Sequence, residues 1–350
     1  VVQEVHKEAS ESSSPMKEAG TVSVTEYANS VGALPTKYFS ELSYDHAADI
    51  GSGAVIDHKY KKGTCSSCAF ACKLPTRDEE SGLETEGPEY ETVMSFGSNA
   101  LIEDFVDVMR SNELCDQLGM DTISCGDVVS AYLAANDAFG DADLVHELVE
   151  KIGRREGVGD RLAEGIDRCA DELGVENWSM KGMEFAAHDG RTLNGQGLSF
   201  AVSNRGADHM YAEMYRFEYP LVAPGDALDR EGLTGKPERL VRAENENALT
   251  DSAVVCKFAF SQMNEERWEA LMDADYDDLQ AVGERIVTLE RHFNNRRGMD
   301  RSDDDALPYE LEGLDAALDE YYGLRGWNED GTVPESALPS AGGNPTPADD

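Results

Sequence analysis

Two stretches constrain the fold more than any other feature of this chain. In DRLAEGIDRCADELG (160–174), Leu162, Ile166, Cys169 and Leu173 recur at three- and four-residue intervals, which puts them on one helical face with Gly174 as the stop. In DLQAVGERIVTLERHF (278–293), Leu279, Val282, Ile286, Leu289 and Phe293 extend such a face over four turns. Similar patterns predict helices near 101–111, 127–139, 142–155 and 310–323. Alternation of the strand kind is scarce, so the chain is predicted to be mainly α. Glycine-rich loops are expected at 81–99 and 189–208, and loops held by rigid helices are where chemistry usually sits.

At 350 residues the length favours two domains over one. Lys plus Arg total 30 against 70 Asp plus Glu, a net charge of −40. That charge repels phosphate backbones, and no basic stripe interleaved with aromatics offsets it, so nucleic acid is not an expected partner. No apolar run reaches membrane-spanning length, so no membrane partner is expected either. The acids are spread along the whole chain rather than gathered in a tail, which suits a cytoplasm at molar salt, where carboxylates stay hydrated and their repulsion is screened. The expectation is a cytoplasmic protein of a salt-adapted organism. The chain opens on Val1 and reads as a piece of something longer.

Seven cysteines in such a chain argue against a disulfide framework. Cys65, Cys68 and Cys72 stand in KGTCSSCAFACK (62–73) at the spacing C-x2-C-x3-C. Zinc is the sober alternative, but a second thiol or imidazole pair downstream is absent. An iron–sulfur cubane needs four thiolates, and three local ligands plus one remote ligand supply them. The remote candidates are Cys115, Cys125, Cys169 and Cys256. Cys169 lies on an apolar stripe, which suits a buried small hydrophobe.

Several motifs occur together and in a fixed order: GTVSVTEYANSVGALPTKYF (20–39), CSSCAFAC (65–72), GPEYET (87–92), NELCDQLGMDTIS (112–124), GVGDRLAEGI (157–166), GQGLSFAVSNRGADH (195–209) and DSAVVCKF (251–258). In this the chain resembles the tungsten-dependent aldehyde:ferredoxin oxidoreductase family from about residue 20 to 327. The resemblance covers the two multihelical domains of that family and not its N-terminal β-rich domain, which forms a base for paired pterins. It implies a helical domain at 20–179 and a second at 180–327, while composition gives a polar, Ser-rich linker or remnant at 1–19 and a Pro-, Gly- and Asp-rich disordered tail at 328–350.

The resemblance further implies that Cys65, Cys68, Cys72 and Cys256 hold a [4Fe-4S] cluster. It assigns Asp116, Gly119 and Asp121 in DQLGMD, and Asp251 and Val255 in DSAVVC, to gripping a tungsten (or molybdenum) bis-pterin. A carboxylate suits this, because it accepts two hydrogen bonds from a pterin's amino and ring N–H groups. Val254 stands where that motif often has Gly, and Gly190 where the family tends to have Pro. For Asp116 the alternative is helix capping. The implied acid–base residues are Glu91 in GPEYET, with Glu89 as the nearby alternative, and His209 in RGADH. Oxidising an aldehyde requires oxygen attack on the carbonyl and loss of a proton and two electrons; a buried carboxylate suits a base, and an imidazole N–H polarises the carbonyl. The implied partners are an aldehyde, ferredoxin and the N-terminal pterin domain, with room for a homo-oligomer. Reduction of aromatic thioesters, or a non-enzymatic iron–sulfur subunit of a split enzyme, are the rival readings. His188 carries no assigned role; His6, His46, His58, His146 and His292 read as surface residues, and no His/Glu pair stands at metal spacing along the chain.

Overall fold

A computed structural model describes residues 1–219, 227–258 and 263–338. The chain is mainly α, as the periodicity predicts, and among the described residues the strands are two short antiparallel pairs, Pro75–Arg77 with Glu84–Glu86 and Ser179–Met180 with Met183–Glu184. The first half is built on the helices Phe105–Leu118, Thr122–Asn136, Ala142–Arg154 and Ile166–Leu173. Side-chain oxygens of Asp104, Asp121 and Asp141 cap the first three at their N-termini, each accepting from a backbone N–H two or three residues on. The second half packs Lys236–Ser252 against Tyr276–Asn295 and Leu314–Arg325. None of the helices among the described residues is long and apolar enough to cross a membrane.

The predicted faces hold with two corrections. The 160–174 stretch is two helices, Val158–Leu162 and Ile166–Leu173, because Gly165 at φ 89° breaks the backbone between them; Leu162, Ile166 and Cys169 are nonetheless all buried. In Tyr276–Asn295 the buried stripe runs through Leu279, Gly283, Val287 and Arg291, while Leu289 and Phe293 are exposed. The helix is rotated because Gly283 lies against Lys236–Ser252 so closely that a Cβ there would sit 2.2 Å from the Asn245 carbonyl oxygen. Arg291 follows Gly283 inward and meets Asp304, 2.7 Å away, which also pairs with Lys181 at 2.7 Å. A hydrophobic count treats Arg as surface, so a buried ion pair of this kind turns the face by more than apolar spacing suggests.

The predicted glycine-rich loops contain helix: Tyr90–Thr92 runs into a buried π-helical stretch at Val93–Ser98, and Asn194–Val202 is a helix. The second forms despite its glycines because the Glu218 carboxylate accepts from the N–H groups of Gly195 and Gln196, satisfying donors at the helix start. At the N-terminus, the expected linker carries the helices Val2–Glu11 and Met16–Ala19. At the C-terminus, residues 328–338 of the expected disordered tail are described: Val333 is buried, and Arg291 donates to the Gly331 carbonyl. The remainder of that tail, 339–350, lies outside the described residues. One cluster of buried apolar side chains runs from Val22 to Val333 and so includes residues on both sides of the expected division at 179/180.

Candidate active site

The cysteine loop lies at the surface. Cys65 is exposed, and Cys68 and Cys72 are half-buried. Ser67 and Ala71 take positive φ, 61° and 59°, which turns the backbone sharply between successive thiols. The Phe70 N–H donates to Cys68 Sγ at 3.4 Å, and the Thr64 hydroxyl donates to the Cys68 carbonyl at 2.8 Å, so the loop is held from within. Cys256, exposed on the segment after Lys236–Ser252, comes close to Cys72: burial first, then the charges of Glu89, Cys256 and Cys68, push the Cys72 thiol up to about 11. Cys115, Cys125 and Cys169 are buried, and Cys115 and Cys125 contact each other. Of the remote candidates, only Cys256 shares the surface of the triplet.

The two aspartate segments also face outward. Gly119 ends Phe105–Leu118 in the left-handed region at φ 70°, with open space where a Cβ would stand. Asp116 and Asp121 on either side are exposed. Capping falls to Asp121, whose Oδ2 accepts from the Ser124 N–H at 2.8 Å, and not to Asp116. Burial, then Glu113 and Glu86, hold the Asp116 carboxyl above its ordinary range. In the second segment Asp251 pairs with Lys257 at 3.3 Å, and Lys257 also donates to the Met210 carbonyl at 2.6 Å, beside His209. Val255 is half-buried, whereas Val254 is 90% exposed at φ 57°. The left-handed backbone there is the reason Gly suits this position better than a β-branched residue.

Behind these loops lies a pocket of acid–base groups. Glu91, on Tyr90–Thr92, takes the Ala187 N–H on Oε2 at 2.7 Å, while buried Oε1 has no hydrogen-bond partner. His209 Nε2 is 3.4 Å and His188 Nε2 is 3.8 Å from that Oε1. The carboxylate and the two imidazoles present one polar atom each within 4.8 Å of one another. Burial, with Asp121 and Asp208 adding to it, raises the Glu91 carboxyl above its ordinary range, against the opposing pull of His209 and the Ala187 N–H. Burial, aided by His209, holds His188 well below the ordinary imidazole range. Glu89 faces elsewhere: its Oε2 accepts from the Thr21 hydroxyl at 2.5 Å and the Thr21 N–H at 3.3 Å, on the side of Cys72. Burial raises it too.

Sequence spacing could not have gathered Glu91, His188 and His209, which stand far apart in the chain. His188 carried one signal, its place directly before Asp189 and Arg191. Those two form a two-point ion pair, Arg191 Nε and Nη2 donating to Asp189 at 2.9 and 2.7 Å, with the guanidinium over the Trp178 ring. Gly190 between them leaves no room for any side chain, since a Cβ would lie 2.6 Å from Gly197 Cα and 2.2 Å from the Tyr309 hydroxyl oxygen. Lys257 was also missed, although it is a cation directly after a candidate ligand in a strongly acidic chain.

Surface thiols around a tight loop, outward carboxylates beside an open glycine and a buried Glu/His cluster are thus carried on one helical scaffold. Residues 1–342 match the family model described as aldehyde ferredoxin oxidoreductase, domains 2 & 3. The chain belongs to that family. It is 34% identical to the tungsten-containing aldehyde ferredoxin oxidoreductase of Pyrococcus furiosus, over 92% of this chain and 59% of the relative. It is 33% identical to that of Thermococcus kodakarensis over the same shares. The chain thus spans about three-fifths of the length of these curated relatives. Among solved structures, the active-site complex BamBC of benzoyl coenzyme A reductase with 1,5-dienoyl-CoA shares the fold at a TM-score of 0.71 and 17% identity, over 91% of this chain and 58% of that one.

Proposed function

We propose that this chain is the cluster-bearing, acid–base part of a tungsten–pterin aldehyde oxidoreductase that delivers electrons to ferredoxin. The observation that carries the reading is the meeting of Glu91 and His209, 3.4 Å apart and 118 residues apart in sequence (209 minus 91), behind the two aspartate segments. The residues present fit the groups the family implies. Cys65, Cys68, Cys72 and Cys256 offer thiols at one surface, and Asp116, Asp121 and Asp251 offer carboxylates beside the open face of Gly119. When bound, the metal–pterin group would accept the electron pair and the cluster would pass electrons on singly.

In this reading the chain's own residues handle the protons. An aldehyde and water become a carboxylic acid, two protons and two electrons. Glu91 Oε1, unpartnered and in a low-dielectric pocket, accepts the proton from the attacking oxygen nucleophile, while the Ala187 N–H keeps the other oxygen fixed. His209 donates a hydrogen bond to the carbonyl oxygen as charge builds on it. Glu89, turned toward Thr21 and Cys72, stands apart from this chemistry. The expected division at 179/180 would then separate the cysteine loop, Glu91 and the first aspartate segment from His209 and the second. The test is metal content and aldehyde-dependent viologen reduction by the protein purified without oxygen from its host. About four irons per chain with one tungsten, and activity on aldehydes, is the expected result. Four irons and tungsten without aldehyde oxidation would overturn the substrate assignment; zinc in place of iron would overturn the cluster.

A further inference from the structure

The pocket holds a second imidazole whose surroundings are more restrictive than those of His209. The His188 ring lies flat on Tyr215, with centroids 3.7 Å apart and planes 4° from parallel. Its Nδ1 is 3.5 Å from the Tyr219 hydroxyl, and Tyr90 and His209 close two further sides at centroid distances of 5.1 and 5.5 Å. The side chain is 4% exposed. Burial first, with the charges of Glu218, Asp189 and Glu91 adding to it, raises the Tyr219 hydroxyl well above its ordinary range, so it keeps a proton to offer Nδ1. A neutral imidazole that accepts at Nδ1 carries its own proton on Nε2. That is the nitrogen aimed at the unpartnered Oε1 of Glu91.

We propose that His188 is the positioning residue for Glu91: held by Tyr215 and Tyr219, it turns an Nε2–H toward the carboxylate oxygen 3.8 Å away, a separation at which it acts as an oriented dipole rather than a hydrogen bond and favours the ionised form. The inference rests on Glu91 being the base of the proposed reaction. The arrangement resolves a conflict within the site. Burial, with Asp121 and Asp208 adding to it, raises the Glu91 carboxyl, which works against its use as a proton acceptor. A neutral N–H stabilises the anion without adding a charge to the buried site. The other groups facing the pair, Tyr90, Tyr215 and Tyr219, are all phenols held well above their ordinary range by burial, so none contributes charge.

The test reads the Glu91 carboxyl itself, by infrared difference between the purified holoprotein and its Glu91→Gln variant across a pH series. His188→Phe keeps a flat ring against Tyr215 and removes the N–H; His188→Gln restores a donor without the ring. The expected result is that the Glu91 midpoint rises by about 0.5–1 pH unit in His188→Phe and returns toward the wild-type value in His188→Gln. An unchanged midpoint in both variants overturns the proposal and leaves His188 as packing. If His188→Phe does not fold, His188→Leu takes its place as the variant without an N–H: a rise of about 0.5–1 pH unit supports the proposal, and an unchanged midpoint overturns it. Aldehyde oxidation by the wild-type protein is measured separately. Its absence would sink the proposed reaction, while the carboxyl titration would still decide the role of His188.

Discussion

At the scale of single residues, the pocket makes a pH statement. Glu91 is raised by burial, so its folded-state carboxyl keeps its proton to higher pH than a free glutamate. A base must be deprotonated to act, so kcat should fall on the acid side at a pH above the usual carboxylate range, and Glu91→Gln should lower kcat by about 10²–10⁴-fold across the profile. A full rate in Glu91→Gln would remove it from the chemistry. The thiols make a second statement. Cys256→Ala should cost the protein its iron, because Cys256 stands by Cys72, whereas Cys169→Ala should keep it, because Cys169 is buried in a separate helix. Iron analysis of the two variants settles the choice; the reverse pattern would move the fourth ligand elsewhere. Motifs singled out the cysteine triplet and the two aspartate segments in the sequence, and the structure sets them at the surface. His188 was not readable, because Glu91, His209 and Tyr215 are brought against it only by the fold.

At the scale of elements, the turn that ends Lys236–Ser252 carries a visible cost. Val254 is forced to φ 57° with almost no contacts to compensate. Replacing it by Gly removes the Cβ strain, and the variant should be more stable by about 1 kcal/mol in denaturant titration, with an unchanged slope. A loss of stability would mean that the Val254 side chain packs against something. Helix existence was legible from apolar spacing in every predicted segment. Which face turns inward was less so: in Tyr276–Asn295 a close glycine contact and a buried arginine rotate the helix away from Leu289 and Phe293. The Asn194–Val202 helix escaped notice for a related reason, since its glycines read as loop until Glu218 is seen to bind its first N–H groups.

At the scale of the whole molecule, a charge of −40 on 350 residues opposes compaction wherever it is unscreened. The thermal midpoint should therefore rise steeply between about 0.1 M and 1 M potassium chloride, as the Debye length shrinks from about 10 Å to 3 Å. A flat salt dependence would sink the expectation of adaptation to a salty cytoplasm. The cysteine arrangement has a consequence in time as well as in space. Cys72 precedes Cys256 by 184 residues (256 minus 72), yet the two come together at one surface. In the proposed reading the triplet leaves the ribosome long before its fourth ligand, and loading of the cluster would be a checkpoint on synthesis: it would finish only after the Lys236–Ser252 helix had been made and docked, and would tie residues 65–72 to residue 256.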